Sequence, residues 1–193
     1  VVGCWAAYRP NSLADRFSSL LSMTAASIPD FWFAITGVWL FAVLLGVLPT
    51  SGVDAGVLSW ILPVATLMIR PLGVLTQVVR GAMVSALSAP YIRLARSKGA
   101  GDFRVVSHHA LRNAAAPALT VAGDLMVSLI NGAVVVEAIF GWPGIGQLAW
   151  QAIQRVDIPI IMGVTLVSAC AIVIGNLLAD LVTPLIDPRI KLR

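Results

Sequence analysis

Long apolar runs alternate with short polar stretches along this chain of 193 residues. The four apolar runs are Ser18–Leu48, Trp60–Ser88, Ala114–Val136 and Ile160–Thr183. Each is continuous rather than alternating, which favours helices over strands, and each reaches the roughly 20 residues that a helix needs to cross a bilayer. The first run is too long for one upright helix, so we expect either a bend at Pro29 or a first part that lies inside the protein. The pattern predicts an all-α, polytopic bundle of transmembrane helices.

Composition places this bundle in a membrane. Apolar residues make up 59% of the chain and charged residues 11%, whereas soluble domains carry about 25% charged residues. The mean hydropathy is +0.91. In lipid the backbone must satisfy its own hydrogen bonds, which continuous apolar helices do. The net charge of +4 could favour nucleic acid, but the basic residues lie beside the apolar runs, where they set topology. We therefore expect the lipid bilayer as a partner and no nucleic acid.

The Lys and Arg residues are distributed unequally between the two sets of loops. The Arg9–Phe17 loop, the Tyr91–Asn113 stretch and the C-terminal tail hold two, five and three of the thirteen. The loops Pro49–Ser59 and Glu137–Pro159, on the other side, hold only Arg155. Because cytoplasmic loops carry the excess of positive charge, the Tyr91–Asn113 stretch, here called the basic stretch, is expected in the cytoplasm.

The basic stretch carries helix signals of its own. Pro90 suits the first turn of a helix that continues from Tyr91 to Lys98. Gly99 and Gly101 are expected to end that helix by supplying the left-handed geometry of many helix ends. Asp102 can then cap a second helix by accepting a backbone N–H bond. The prediction is a helix, a glycine elbow and a second helix.

The second helix, from Phe103 to about Leu111, is expected to expose apolar and cationic side chains together. The exposed residues in this prediction are Phe103, Val105 and Val106, beside Arg96 and Arg104. Such a surface fits a docking site on another protein, because apolar anchors supply affinity and guanidinium groups supply directed contacts. It fits equally well a basic helix lying on anionic lipid. The residues alone leave both interpretations open.

Four motifs in one order carry a resemblance to a known family. The basic stretch contributes Tyr91, Arg93, Ala95, Arg96, Lys98 and Gly99, then His109–Ala110–Leu111–Arg112–Asn113 and Pro117. The others are "AAYRPNSLADR" with "SIPDFW", "GAVVVEAIFGWPGIGQL" (Gly132–Leu148) and "DPRIK" (Asp187–Lys191). In these motifs the chain resembles the dipeptide/oligopeptide permeases of binding-protein-dependent ABC importers. The resemblance covers essentially the whole chain. It implies a single permease domain over residues 1–193, with a first span and an extracytoplasmic segment upstream of Val1.

The chain departs from the family pattern in two places. Ser85, Ser88 and Pro90 stand where many relatives have acidic or polar residues, which leaves fewer charge partners for an ATPase. Arg93–Leu94–Ala95 stands where the general importer loop has Glu–Ala–Ala. The second departure points to the peptide-type branch and away from sugar importers.

The resemblance implies a permease subunit of an ATP-driven importer of di-/oligopeptides in the bacterial cytoplasmic membrane. Residues 89–113 would form the cytoplasmic loop that couples it to ATPases. The implied coupling residues are Arg93, Arg96, Lys98, Gly99, Ala100, Gly101, Asp102, Phe103 and Arg104. Among them, Gly99 would permit the bend and Phe103 would be the apolar anchor.

The same resemblance implies the partners. The chain has no Gly-x-x-x-x-Gly-Lys-Ser/Thr motif to hold ATP phosphates, so it is predicted to be no enzyme and to bind no cofactor. ATP and Mg would belong to two cytoplasmic ATPase subunits. A homologous second permease, an extracytoplasmic substrate-binding protein and the peptide complete the implied assembly. No metal site is expected at His108 and His109, which point about 100° apart on a helix and have no third ligand nearby.

Polar residues within the spans are candidates for the translocation path, namely Arg70, Gln77, Asn131 and Asp124. A charge inside the bilayer costs at least about 2.5 kcal/mol unless it is paired or wetted. Arg70 therefore either faces the path or forms a structural pair with Asp124 or with a partner subunit. For Arg80 two interpretations are likewise open, namely that it lines the path or that it packs helices together.

Other functions stay open at the level of the sequence. The sequence does not distinguish a peptide importer permease from a nickel or glutathione importer permease of the same family, because the binding protein largely chooses the substrate. A carrier driven by an ion gradient would account for the charges within the spans. Such a carrier would not need a docking elbow and would work without any ATPase.

Overall fold

The computed structural model describes residues 12–186, with side chains described at all of these positions except 130, 131 and 179–186. The helices in chain order are α1 (Leu13–Ser27), α2 (Asp30–Gly37), the π-helix π1 (Val38–Leu44), α3 (Leu58–Ser88), α4 (Pro90–Ser97), α5 (Asp102–Arg104), the π-helix π2 (Val105–Ala110), α6 (Leu111–Phe140), α7 (Ile145–Arg155) and α8 (Ile158–Ile186). No strand occurs within residues 12–186. The predicted all-α class is confirmed.

Within residues 12–186, two helices are each long and apolar enough to cross a membrane, namely α3 and the Ile158–Leu178 part of α8. Two bent pairs also qualify if each pair is one span: Leu13–Ser27 with Asp30–Leu44, and Asp102–Leu129 with Gly132–Phe140. The described chain therefore supplies between two and four spans. With 31 residues, α3 is about 46 Å long at 1.5 Å per residue, which exceeds a hydrocarbon core of about 30 Å.

Pro29 separates α1 from α2, as one of the two interpretations of the first apolar run predicted. α1 ends at Ser27, and Pro29 is the N-cap of α2 with an extended backbone (φ −64°, ψ 137°). Proline lacks the N–H that a continuing helix would use, and its ring holds the preceding residue away from helical geometry. The long apolar run thus becomes two helices rather than one.

Two element boundaries differ from the predictions. α1 begins at Leu13, so residues 13–17 of the predicted polar loop are helical. The second helix of the basic stretch does not stop near Leu111, because α5, π2 and α6 follow one another without a break. The sequence at that junction, "LRNAAAPAL", has no glycine, and Pro117 lies inside α6. Residues 6–11 of the "AAYRPNSLADR" motif and the whole "DPRIK" motif (Asp187–Lys191) lie outside the described residues.

The described chain forms two compact units, each with a core of its own. The first comprises residues 12–27, 71–123 and 181–186. Its buried cluster joins the end of α3 to the basic stretch and consists of Met83, Ala86, Ile92, Val105, Ala110 and Ala114. The prediction that residues 1–193 form a single domain stays a prediction.

The second unit comprises residues 28–70 and 124–180. Its buried cluster consists of Ala34, Leu62, Val136 and Phe140. Trp142 packs against this cluster and meets the ring of Trp60 edge to face, with centroids 4.2 Å apart. Edge-to-face pairs add about 0.5–1.5 kcal/mol beyond the area that they bury. The turn that follows α6 is therefore tied to the start of α3.

Within the first unit, α1 packs directly on α3 at Gly73. A Cβ at this position would lie 2.7 Å from the backbone nitrogen of Ala26 and from the carbonyl oxygen of Ser22. No side chain fits that gap. Small residues allow such close approach between helices in membranes, where van der Waals packing is a main source of helix association.

Candidate functional site

Backbone hydrogen bonds end α4 at the elbow, here defined as Lys98–Gly101. The N–H of Gly99 donates to the carbonyl of Arg96 at 3.0 Å, and the N–H of Ala100 donates to that of Ala95 at 3.1 Å. These two bonds form a Schellman motif, which requires a left-handed residue at the position of Gly99. Gly99 has a φ of +83°, so its predicted role as the bend is confirmed.

Gly101 and Asp102 have roles that differ from those predicted. Gly101 has a φ of −66° and is the extended N-cap of α5, so it does not supply a left-handed turn. Asp102 is the first residue of α5 rather than its cap. Its Oδ1 lies 3.3 Å from Nη2 of Arg96, and its charge in the first turn suits the partial positive charge of a helix N-terminus. The carboxylate thus connects the two arms of the elbow.

The basic stretch is anchored on α3 by buried apolar side chains. Ile92 from α4, with Val105 and Ala110 from π2, lies in one cluster with Met83 of α3. Val105 is 0% exposed, so the prediction that it lies on the outer surface with Phe103 is wrong. Residues two apart on a helix point to nearly opposite sides, because each residue advances the helix by about 100°. Because Phe103 faces outward, Val105 faces the interior.

Most of the coupling residues predicted from the resemblance are exposed in the basic stretch. Phe103 is 86% exposed, although aromatic side chains favour burial. Arg93, Arg96 and Arg104 are also exposed. Lys98, Gly99, Gly101 and Asp102 share this exposure, and only Ala100 is half-buried, where it packs against the cluster. The surface therefore combines an apolar anchor with several cations on a rigid base.

An ion pair between Asp15 of α1 and Arg80 of α3 was not predicted. Arg80 donates through Nε and Nη2 to the two carboxylate oxygens of Asp15, at 2.5 and 2.7 Å. Asp15 is 2% exposed, although the sequence placed it in a polar loop. Bidentate pairs of this kind are stronger and more directional than single contacts. The pair ties α1 to α3, which favours the helix-packing interpretation of Arg80.

The residues predicted for a translocation path differ in their exposure. Arg70 and Asp124 are exposed, and within the described residues no ion pair joins them. Gln77 is half-buried on α3. The side chain of Asn131 lies outside the described residues. Their roles in a path stay predictions.

The turn between α6 and α7 is held together by Glu137. Its carboxylate accepts a hydrogen bond from the N–H of Gly146 at 2.7 Å, and its carbonyl accepts one from the N–H of Trp142 at 3.0 Å. Gly144 packs so closely that a Cβ there would overlap with the Glu137 carboxylate. A side chain from α6 thus caps α7, in place of a residue at the start of α7 itself. The predicted short helix near Gln147–Arg155 is confirmed, and it begins at Ile145.

The apolar helices define a polytopic helical membrane protein, and its basic stretch carries an exposed Phe103 beside exposed cations. A family model for binding-protein-dependent transport system inner membrane components matches residues 1–192, and the chain belongs to this family. The family predicted from the four motifs is confirmed. The chain is therefore a multi-pass component of a bacterial cytoplasmic membrane.

Curated relatives are similar along nearly the whole chain. The oligopeptide transport system permease protein AppB of Bacillus subtilis (strain 168) is 38% identical over 98% of this chain and 63% of its own length. The dipeptide transport system permease protein DppB of the same strain is 38% identical over 100% of this chain and 62% of its own length. A putative peptide transport system permease protein of Brucella abortus (strain 2308) is 39% identical over 99% of this chain and 63% of its own length. The chain thus spans somewhat less than two thirds of these relatives.

Proposed function

We propose that this chain is a permease subunit of an ATP-driven importer of di-/oligopeptides. The observation that carries the coupling part of this proposal is the elbow, which exposes Phe103 while Ile92 and Val105 fix its base to α3. The peptide part rests on similarity, because the relatives named above are oligopeptide, dipeptide and peptide permeases. Residues 89–113 act as the coupling loop.

The elbow transmits force because it is rigid. Ile92, Val105 and Ala110 pack against Met83, and a close-packed cluster moves as one body. A push on Phe103 from outside therefore reaches the end of α3 directly. It also reaches α6, since α5 and π2 continue into that helix. Closure of an ATPase pair around the elbow would move both helices together.

The proposed assembly supplies what this chain lacks for transport. Two cytoplasmic ATPase subunits bind ATP and Mg and hydrolyse the nucleotide, while this chain binds no cofactor and catalyses no reaction. A homologous second permease forms the other half of the path, and an extracytoplasmic binding protein delivers the peptide. Arg70, exposed within α3, is suited to meet a peptide carboxylate in that path.

The experiment that tests the coupling role is co-purification from membranes. The full-length protein is tagged, extracted in mild detergent and examined by mass spectrometry for associated ATPases. Phe103→Asp places a charge in the apolar anchor and should reduce the recovered ATPase at least about tenfold, because interface anchors contribute about 2 kcal/mol or more. Phe103→Leu keeps an apolar side chain and should retain most of the ATPase.

A matched control separates docking from general damage. Val53→Asp introduces the same charge at another exposed apolar residue, in the loop predicted on the opposite side of the membrane. It should leave ATPase recovery unchanged. Equal ATPase recovery by Phe103→Asp and the unmodified protein would contradict the docking role. Uptake of a labelled dipeptide that proceeds in cells without the ATPases would contradict the importer class and favour an ion-gradient carrier.

A further inference from the structure

The basic stretch contains a cavity whose lining shares Lys98, Gly99, Ala100 and Arg104 with the predicted coupling residues but does not include Phe103. It has a volume of about 590 Å³ and lies between α4, the elbow and π2. Lys98 and Arg104 line it together with both imidazoles, His108 and His109. This volume is within the range of sites for small molecules, about 300–1,000 Å³. We propose that this cavity binds the headgroup of an anionic phospholipid from the cytoplasmic leaflet.

The charges around the cavity favour an anion. Lys98 and Arg104 contribute two permanent cations, and each imidazole presents at least one ring nitrogen for hydrogen bonding. Among the described residues that line the cavity, none is acidic. The carboxylate of Asp102 lies nearby in sequence but is directed to Arg96, at 3.3 Å. Phosphate oxygens are the natural acceptors for such a set of donors.

Two adjacent histidines line the cavity from the π-helix. In an α-helix neighbours diverge by about 100°, which is why the sequence predicted that His108 and His109 would point apart. Both lie in π2 and both line the cavity. Their rings meet edge to face with centroids 5.5 Å apart. π-Helical turns are rare and occur frequently at functional sites.

The apolar part of the lining favours a lipid over a free anion. Tyr91 and Leu94 form one side of α4, line the cavity and are exposed. The glycerol and upper acyl region of a phospholipid would cover this surface, whereas a free phosphate ion would leave it in water. Tyrosine also favours the membrane–water interface. The ligand is thus expected to combine a negative head with an apolar body.

The cavity lies beside the ends of candidate spans, where lipid headgroups would be within reach. α4 starts two residues after α3 ends at Ser88, and π2 continues directly into α6. α3 qualifies as a span by itself, and the stretch that contains π2 and α6 qualifies if its bent pair is one span. Basic pockets on the cytoplasmic side of membrane helices bind anionic headgroups in this way. The inference needs the cytoplasmic placement of the basic stretch but not the binding of an ATPase.

The test measures lipid retention directly. The full-length protein is delipidated in mild detergent and titrated with phosphatidylglycerol or with phosphatidylcholine of the same acyl chains, and bound lipid is counted by native mass spectrometry. The unmodified protein should retain phosphatidylglycerol at least about tenfold more tightly. The double variant His108→Ala, His109→Ala removes both imidazoles and should weaken that binding about tenfold, the effect of losing one hydrogen bond to a charged group.

The matched control is Arg112→Gln, which removes a cation that is exposed close by in α6 but does not line the cavity. It should retain phosphatidylglycerol like the unmodified protein. Circular dichroism shows whether the double variant keeps its helices. If it does not, Lys98→Gln carries the same test, because it removes an exposed cation without altering π2.

Several results would overturn the proposal. Equal retention of the two lipids would show that the negative headgroup is not recognised. Binding of inorganic phosphate without any retained phosphatidylglycerol would assign the cavity to a free anion. A cross-link from Lys98 to an acidic segment of a co-purifying protein, with no lipid retained, would assign it to a protein partner. None of these results bears on the loss of ATPase caused by Phe103→Asp, so the two proposals fail separately.

Discussion

The elbow around Gly99 and the turn from Gly141 to Gly146 both connect helices through glycine, and they need it for different reasons. At Gly99 the backbone is left-handed, with φ +83°, and a Cβ built there would meet nothing within 4 Å. At Gly146 the backbone is helical, but a Cβ would overlap with the backbone of Val134. One glycine is required by conformation and the other by lack of space.

This difference indicates where each region directs its polar groups. The turn is closed on itself, because Glu137 occupies the room beside Gly144 and accepts the N–H of Gly146. The elbow is open: Lys98 within it is exposed, and Arg96, Arg104 and Phe103 beside it are exposed as well. The closed turn positions helices within the chain, whereas the open elbow on a buried base suits the proposed contact with an ATPase. Substitutions that tell the two kinds of glycine apart therefore test both assignments.

The largest effect is expected from Gly146→Ala. The added methyl group must displace the backbone of Val134, which cannot rotate away as a side chain could. Overpacking of this kind costs roughly 1–3 kcal/mol. The free energy of unfolding should fall by that amount, and the Tm of the detergent-solubilised protein should drop by several degrees.

Gly163→Ala is the matched control for this prediction. Gly163 lies inside α8, and a Cβ there would meet nothing within 4 Å. Alanine favours a helix over glycine by up to about 1 kcal/mol, so the Tm should stay the same or rise. Equal stability of the Gly146→Ala and Gly163→Ala variants would contradict the close contact between α6 and α7.

A smaller effect is expected at the elbow, from Gly99→Ser. A non-glycine residue in the left-handed region costs about 1–2 kcal/mol, and here no neighbour adds a steric term. Hydrogen exchange of the Gly99 and Ala100 amides should become faster, because the strain opens the two Schellman bonds. Asparagine tolerates this region better than serine. The exchange rates in Gly99→Asn should therefore lie between those of Gly99→Ser and those of the unmodified protein.

Gly101→Ser makes the same chemical change two residues away, where the outcome should be the reverse. Gly101 has an ordinary φ of −66° and is the N-cap of α5. Serine is a preferred N-cap residue, so this variant should protect the amides of α5 slightly better than glycine does. Equal damage from both serines would mean that the elbow tolerates no side chain at all, and would contradict the open geometry at Gly99.

The features of the fold that were predicted correctly from the sequence depend on local chemistry. Pro29 ends α1 because it lacks an N–H, and Gly99 ends α4 because it accepts a left-handed backbone. The continuous apolar run Trp60–Ser88 corresponds to α3, which begins only two residues earlier. The family was also recognised from motifs, and the match over residues 1–192 confirms it.

What the sequence missed depends on contacts between distant residues or on helical phase. Asp15 and Arg80 are 65 positions apart, so no local pattern connects them. Valine occurs both on protein surfaces and in interiors, so its identity alone does not predict burial. The packing of π2 on α3 buries Val105. Glu137 at the end of α6 could have been suspected as a cap, since the "GWPGIG" turn offers no Ser, Thr, Asp or Asn to start α7.

The smallest effect is expected from the ion pair that bridges the elbow. Arg96 and Asp102 are 53% and 61% exposed, so a double-mutant cycle with alanine at both positions should give a coupling energy of only about 0.2–1 kcal/mol. This coupling should weaken as salt rises from 0.1 to 1 M, over which the screening length falls from about 10 to 3 Å. The Asp15–Arg80 pair provides the contrast, since its buried carboxylate should give a larger and less salt-sensitive coupling.

A coupling at the elbow as large as that of the buried pair would mean that Arg96 is locked to Asp102, and a docking role for Arg96 would then require that bond to break. A small coupling leaves Arg96 available to a partner at little cost, as an open elbow requires.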